Sequence, residues 1–216
     1  DSAAALAAEG MDFDKLQRRP DGILARELRG RGGGGADRWR FLGSLTCRGP
    51  VWRFDTAGTL CPKIYQIQDS YGLAWPMLER VHAAARARGF PAWVCPRPGH
   101  PDRSEHLLLP ELGRAIVPSR EGMVYDGPAY RRVRVDAMIP AAYCKRFRSR
   151  LRFTRRMVQV LREEGMAALG EAKAAHDQLE AVYHPHVDFD GVAGLTAREL
   201  ERMERRLEAL GEGPRP

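Results

Sequence analysis

No stretch of about eighteen consecutive apolar residues occurs, so nothing in the sequence reads as a membrane-spanning helix. The Ala-rich opening DSAAALAAEG has neither the basic start nor the apolar middle of a secretory signal. Both absences point to a cytoplasmic protein with no membrane partner. The four cysteines, Cys47, Cys61, Cys95 and Cys144, are scattered, with no C-x-x-C pair and no histidine at zinc-finger spacing. They read as free thiols, not as a disulfide framework or a zinc site. There is no G-x-S-x-G elbow and no Cys/His pairing that spacing supports, so a covalent hydrolase has no basis here. Lysine is absent from the whole interval between Lys63 and Lys145.

What is present is an ordinary globular composition, with 216 residues, 44% of them hydrophobic, which is long enough to bury a core. The formal net charge is +7. Such an excess suits nucleic acid or another anionic partner, but here it is mostly arginine in an Ala/Gly/Arg-rich chain, which a compositional bias explains equally well.

The segment LRGRGGGGADR, residues 28–38, reads as a linker, because four consecutive glycines carry high backbone entropy and no side chains to pack. A hexapeptide pattern of apolar-Asp-Phe-Asp-x-apolar occurs at Met11–Leu16 and again at Val187–Val192. Each copy is followed by an AREL segment. A tandem duplication would make residues 1–37 the tail of a preceding copy plus a glycine-rich linker, and the chain a fragment whose first half is missing.

Residues 38–139 carry α/β patterning. KIYQIQ is an apolar, β-rich run, and AWPMLERVHAAARARGF then places Met77, Leu78, Val81, Ala84 and Ala85 on one helical face, with Gly89 set to cap its end. PAWVC and RAIV read as short buried strands, with HLLLPELG as an apolar loop between them, and this alternation predicts a parallel sheet. Residues 140–216 read as a helical extension of the same domain. In its first helix Phe147, Leu151, Val158, Leu161 and Leu169 form the core face, leaving the interleaved arginines in solvent. Thr196 and Glu199 form a capping-box pattern that predicts a helix over 196–210, closed at Gly211.

Strand, loop and helix at KIYQIQDSYGLAWPMLERV match the layout of a phosphate-binding loop, whose pattern is G-x-x-x-x-G-K-[ST]. The eight loop positions are Gln68, Asp69, Ser70, Tyr71, Gly72, Leu73, Ala74 and Trp75. Counted back from the helix, both glycines, the lysine and the hydroxyl are gone. Placing Gly72 in the second glycine slot puts Leu73 and Ala74 where Lys and Ser/Thr belong. Asp69 opposes an anion at the helix start, and Pro76 removes an amide donor. No metal site follows from the His/Asp residues: HPH at 184–186 reads as a helix end, and His176-Asp177 as a helix surface.

Three segments carry a resemblance. RFLGSLTCRGPVWRFDTAGTL, LLLPELGRAIVPS and AHDQLEAVYHPHVDFDGV resemble, in order, segments of the uncharacterised bacterial proteins built from two tandem P-loop ATPase-like halves. Over about residues 39–205 the chain is similar to the second half of such proteins. The resemblance implies a P-loop NTPase-like α/β fold with a mostly parallel sheet, long C-terminal helices, and a preceding ATPase-like half as partner. Pro118 follows Val117 where that family's strand would end in an acidic, magnesium-supporting residue, and Glu111 is the carboxylate nearby, carried over as structural or water-positioning.

The expectation is therefore a non-catalytic half of an ATP-binding protein, without a cofactor of its own, with ATP and magnesium belonging to the missing half. Its role would be structural or regulatory, with self-association open. The alternative is a basic nucleic-acid or anion-binding module built on KRFRSRLRFTRR, residues 145–156, with Arg146, Arg150 and Arg155 as candidate anion contacts.

Overall fold

The computed structural model describes residues 2–98 and 100–209. It separates into two compact units, Asp1–Leu169 and Gly170–Pro216. The first is α/β, built on a six-stranded sheet that is mostly parallel and flanked by helices. Its strands are β1 (Arg38–Trp39), β4 (Lys63–Gln68), β5 (Trp93–Arg97), β6 (His100–Leu109), β7 (Arg114–Ser119) and β8 (Arg131–Arg134), in the spatial order β1-β5-β6-β7-β4-β8. A separate antiparallel hairpin joins β2 (Gly43–Thr46) to β3 (Gly49–Trp52).

The sheet departs from the parallel expectation at one strand. HLLL is not a loop: it is the buried end of β6, which runs antiparallel to both β5 and β7. The Pro110–Leu112 turn, closed by the left-handed Gly113, is short enough to reverse the chain directly, so no crossover helix is needed.

Period-2 alternation distributes the sheet's side chains over two cores. Tyr65, Ile67, Leu107, Leu109 and Ile116 face one, with α5 (Trp75–Ala87) above them. Ile64, Leu108, Ala115 and Val117 face the other, under α4 (Phe54–Leu60). Burial on both faces explains why these strands read as continuous apolar runs. On α5, Met77, Leu78, Val81 and Ala85 are buried, and Ala84 packs against the same core.

Part of the N-terminal stretch assigned above to a tail packs into this core. α1 (Ser2–Glu9), α2 (Phe13–Arg18) and α3 (Asp21–Glu27) contribute Leu6, Leu16 and Ile23 to the cluster beneath α5, and Leu28, just after α3, joins them. Glu27 accepts hydrogen bonds from Tyr65 and Arg114; burial alone would raise its carboxyl, but these donors outweigh it and hold the pKa below the usual range. The glycine tract then lies against the turn after α5, where the Gly32 and Gly34 amides donate to the carbonyls of Arg88 and Gly89. A Cβ on Gly32 would lie 2.4 Å from the Gly89 oxygen, so this glycine is used for close backbone approach.

The helical C-terminal region begins with α6 (Ala141–Arg146) and continues in α7 (Arg148–Tyr183). Of the expected core face, Leu151 is buried and Phe147 packs against the core. Val158 is half-buried, Leu169 is exposed and Leu161 is 66% exposed. Phe153, between Leu151 and Val158, is 65% exposed.

The second unit comprises the end of α7, a single 3₁₀ turn at His184–His186, and α8 (Phe189–Ala209). The helix expected from Thr196 starts earlier. Asp188 accepts the Gly191 amide at 2.8 Å, and Thr196 lies inside the helix with its hydroxyl on the Val192 carbonyl. Gly211 lies outside the described residues. The repeated hexapeptide has one local structure in both places, because Asp12 likewise accepts the Lys15 amide at 2.9 Å at the start of α2. Its surroundings differ: Met11 and Leu16 are buried, whereas Val187 and Val192 are exposed. Among the described residues no helix is long and apolar enough to cross a membrane.

Candidate functional site

The chain leaves β4 through α5 towards β5, returns by the antiparallel β6 to β7 beside β4, and later adds β8 on β4's other side. The C-terminal end of β4 is therefore the point where the sheet's winding changes direction. Open α/β sheets place ligands in the crevice there. Into it run the 68–75 loop, the residues following β7, and Asp136 after β8.

The loop is closed on itself. Both oxygens of Asp69 are held by backbone amides at the start of α5, Oδ1 by Leu73 at 2.8 Å and Oδ2 by Ala74 at 3.0 Å. Asp136 accepts the Ser70 amide at 2.8 Å and the Ser70 hydroxyl at 2.7 Å. The Asp69 amide donates to Ser119 and the Gly72 amide to the Asp69 carbonyl. The carboxylate of Asp69 thus sits where helix-start amides would hold a phosphate oxygen. Its action is to close the loop onto the amides that lead into α5. Burial pushes its pKa up, against the opposing pull of the two amides and of Arg120.

The remaining loop residues have separate roles. Gln68 ends β4 with its side chain exposed. Gly72 has φ +70°, a backbone conformation that favours glycine, and a Cβ there would come within 3.1 Å of Arg97 Nη1. Leu73 and Ala74 are buried in the core, and Trp75 opens α5 with the Arg103 guanidinium 5.3 Å from its ring. Tyr71 lies under Arg155, at 5.2 Å from ring centre to guanidinium, and its hydroxyl accepts from the same side chain.

Of the three arginines singled out for anion contact, Arg155 alone reaches this crevice. Arg146 stacks on Phe147, with its guanidinium 5.2 Å from the ring centre, and Arg150 is an exposed residue of α7. Glu111 lies at the opposite end of β7, where it accepts the Gly33 amide and ties down the glycine tract. This placement leaves it remote from the loop. Positive charge at the crevice comes from Arg97, Arg120, Arg155 and Arg162, contributed by the end of β5, the end of β7 and α7. Nothing in the local sequence of any one of them marks it, because they converge only through sheet order.

Beneath the crevice, Glu105 on β6 holds Arg120 in an ion pair, with Glu105 buried and Arg120 nearly so. The next residue, His106, is enclosed by Phe54 and Trp52, and neither ring nitrogen has a hydrogen-bond partner. Burial pushes its pKa down to about 4. Between that value and the ordinary one near 6.5, the unfolded chain binds a proton that the folded chain refuses. Stability contributed by the neutral imidazole is therefore complete above about pH 6.5 and lost as pH falls towards 4, by about 3 kcal/mol in all. Urea unfolding at pH 7 and pH 4.5 should show this loss in the wild type and much less of it in His106→Leu; equal losses would contradict the assignment.

No family model, curated protein or solved structure matches this chain. The crevice must therefore be read from its own atoms. Among the described residues no group of three His, Cys, Asp or Glu side chains is placed to hold a metal ion. All four cysteines are free, and burial pushes the thiols of Cys61 and Cys95 up to about 11 and about 12, which makes them poor nucleophiles.

Proposed function

We propose that this chain is a P-loop-like domain whose nucleotide seat has been filled from within, and that it serves as a non-catalytic structural or regulatory half of an ATP-binding protein. The observation that carries the reading is the Asp69 carboxylate bonded to the Leu73 and Ala74 amides. A triphosphate would have to displace a buried carboxylate from two charge-assisted hydrogen bonds, each worth about 1.5–3 kcal/mol, with no lysine in the loop to compensate. The central strand, its helix and the parallel neighbours persist because they bury apolar surface, a requirement independent of phosphate contacts.

The partner in this proposal is a preceding half of the same protein. Support comes from the two copies of the Asp-Phe-Asp motif: residues 11–28 are seated on this domain's core, whereas the like-capped start of α8 presents its apolar side chains to solvent. An element of that kind is how one copy would clasp the next.

The test is thermal. Millimolar Mg-ATP should leave the melting temperature of the chain where magnesium alone leaves it, since ligand at one hundred times its dissociation constant would add about 2.7 kcal/mol. A magnesium-dependent, saturable rise with ATP would overturn the proposal.

A further inference from the structure

We propose that the cavity beside the closed loop is a binding site for a small organic dianion, a doubly charged oxyanion head on an aromatic or aliphatic body. The cavity has a volume of about 470 Å³ and lies wholly within the first unit. That size falls in the range of pockets that enclose small organic ligands. Its lining is divided by chemistry: Trp52, Leu45, Val158 and Met166 supply an apolar wall, and Arg97, Arg120, Arg155 and Arg162 supply the charge.

Four guanidinium groups face two carboxylates, Glu105 and Glu121. Glu105 is committed to Arg120, Arg155 is stacked on Tyr71, and Asp69 is committed to the loop amides. Arg162 makes no hydrogen bond or ion pair among the described residues. Burial, followed by repulsion from neighbouring arginines, lowers the pKa of both Arg97 and Arg162. Like charges gathered in a partly buried cavity destabilise the empty protein, and a bound anion relieves them. Guanidinium forks suit planar carboxylates and phosphoryl groups alike. The formal charge of the lining, four arginines against Glu105 and Glu121, suits a head with two negative charges, and the apolar wall accounts for a body that inorganic phosphate lacks.

This inference goes beyond the proposed function, since it uses side-chain cations, whereas the loop reading concerns backbone amides. It is tested without magnesium, so its failure leaves the loop reading standing, and the reverse holds for Mg-ATP. Phenyl phosphate, phthalate, inorganic phosphate and benzyl alcohol are titrated into the full chain by calorimetry and thermal shift. The expected result is a saturable rise of several degrees with phenyl phosphate or phthalate, none with benzyl alcohol, and at least tenfold weaker binding of inorganic phosphate. Whichever dianion binds more tightly identifies the head as phosphoryl or dicarboxylate. Arg162→Gln should weaken that binding at least tenfold while leaving the ligand-free melting temperature unchanged or higher, because it removes a repelled charge. Arg155→Gln, which leaves the half-buried arginines in place, should weaken it less. No response to either dianion at 10 mM, equal binding of inorganic phosphate, or unaltered affinity in Arg162→Gln would overturn the proposal.

Discussion

Glu105→Ala lowers the stability of the chain by about 3–5 kcal/mol, the cost of leaving a buried cation without its partner. Glu105 is buried on β6, and its partner Arg120 stands at the end of β7 with little access to water. Removing the carboxylate leaves a guanidinium already repelled by Arg97 and Arg162. For a chain of this length the melting temperature should fall by roughly 10 °C. The double variant Glu105→Leu/Arg120→Leu should recover most of the loss, because deleting both charges removes the desolvation penalty along with the attraction. Urea denaturation of the two single variants and the double variant measures the coupling. A loss below about 1 kcal/mol in Glu105→Ala would mean that Arg120 is not held by this pair.

Leu16→Ala should cost about 2–5 kcal/mol, as expected for truncating a fully buried leucine. Leu16 is the last residue of the first hexapeptide copy, and α2 packs beneath α5 with the Asp12 amide donating to the Met138 carbonyl. Val192 is its counterpart in the second copy, at 53% exposure. Val192→Ala should cost less than about 0.5 kcal/mol. The contrast sets a buried position against an exposed one after the same Asp-capped helix start. Equal losses at the two sites, measured by urea unfolding, would show that residues 11–28 are not an integral part of this core.

The strand, loop and helix from Lys63 to Ala87 were legible because periodicity of two gives way to periodicity of 3.6 across a short break, and both elements bury what the pattern says they should. β6 was not legible as an antiparallel strand, since Leu107, Leu108 and Leu109 are buried on both faces and a continuous apolar run carries no direction. The first residue of α8 was missed for a local reason. Thr196 and Glu199 satisfy a capping pattern, but Asp188 caps first, and the helix then runs through Thr196.

At the site, the absent lysine and glycines were visible in the sequence, whereas the use made of Asp69 was not. A carboxylate in a loop between strand and helix reads as repelling an anion, whereas the fold brings it within hydrogen-bond distance of the amides four and five residues on. Arg97, Arg120 and Arg162 were invisible for a topological reason, since they meet through the order β5-β6-β7 and the approach of α7, over separations that no sequence window spans.

The central claim is that the Leu73 and Ala74 amides are already occupied, and their backbone resonances report on it directly. In a two-dimensional ¹H–¹⁵N titration with Mg-ATP, those two peaks should stay at their ligand-free positions up to millimolar ligand. Saturable, magnesium-dependent movement of both would show that Asp69 yields its place to a phosphate, and would contradict the account.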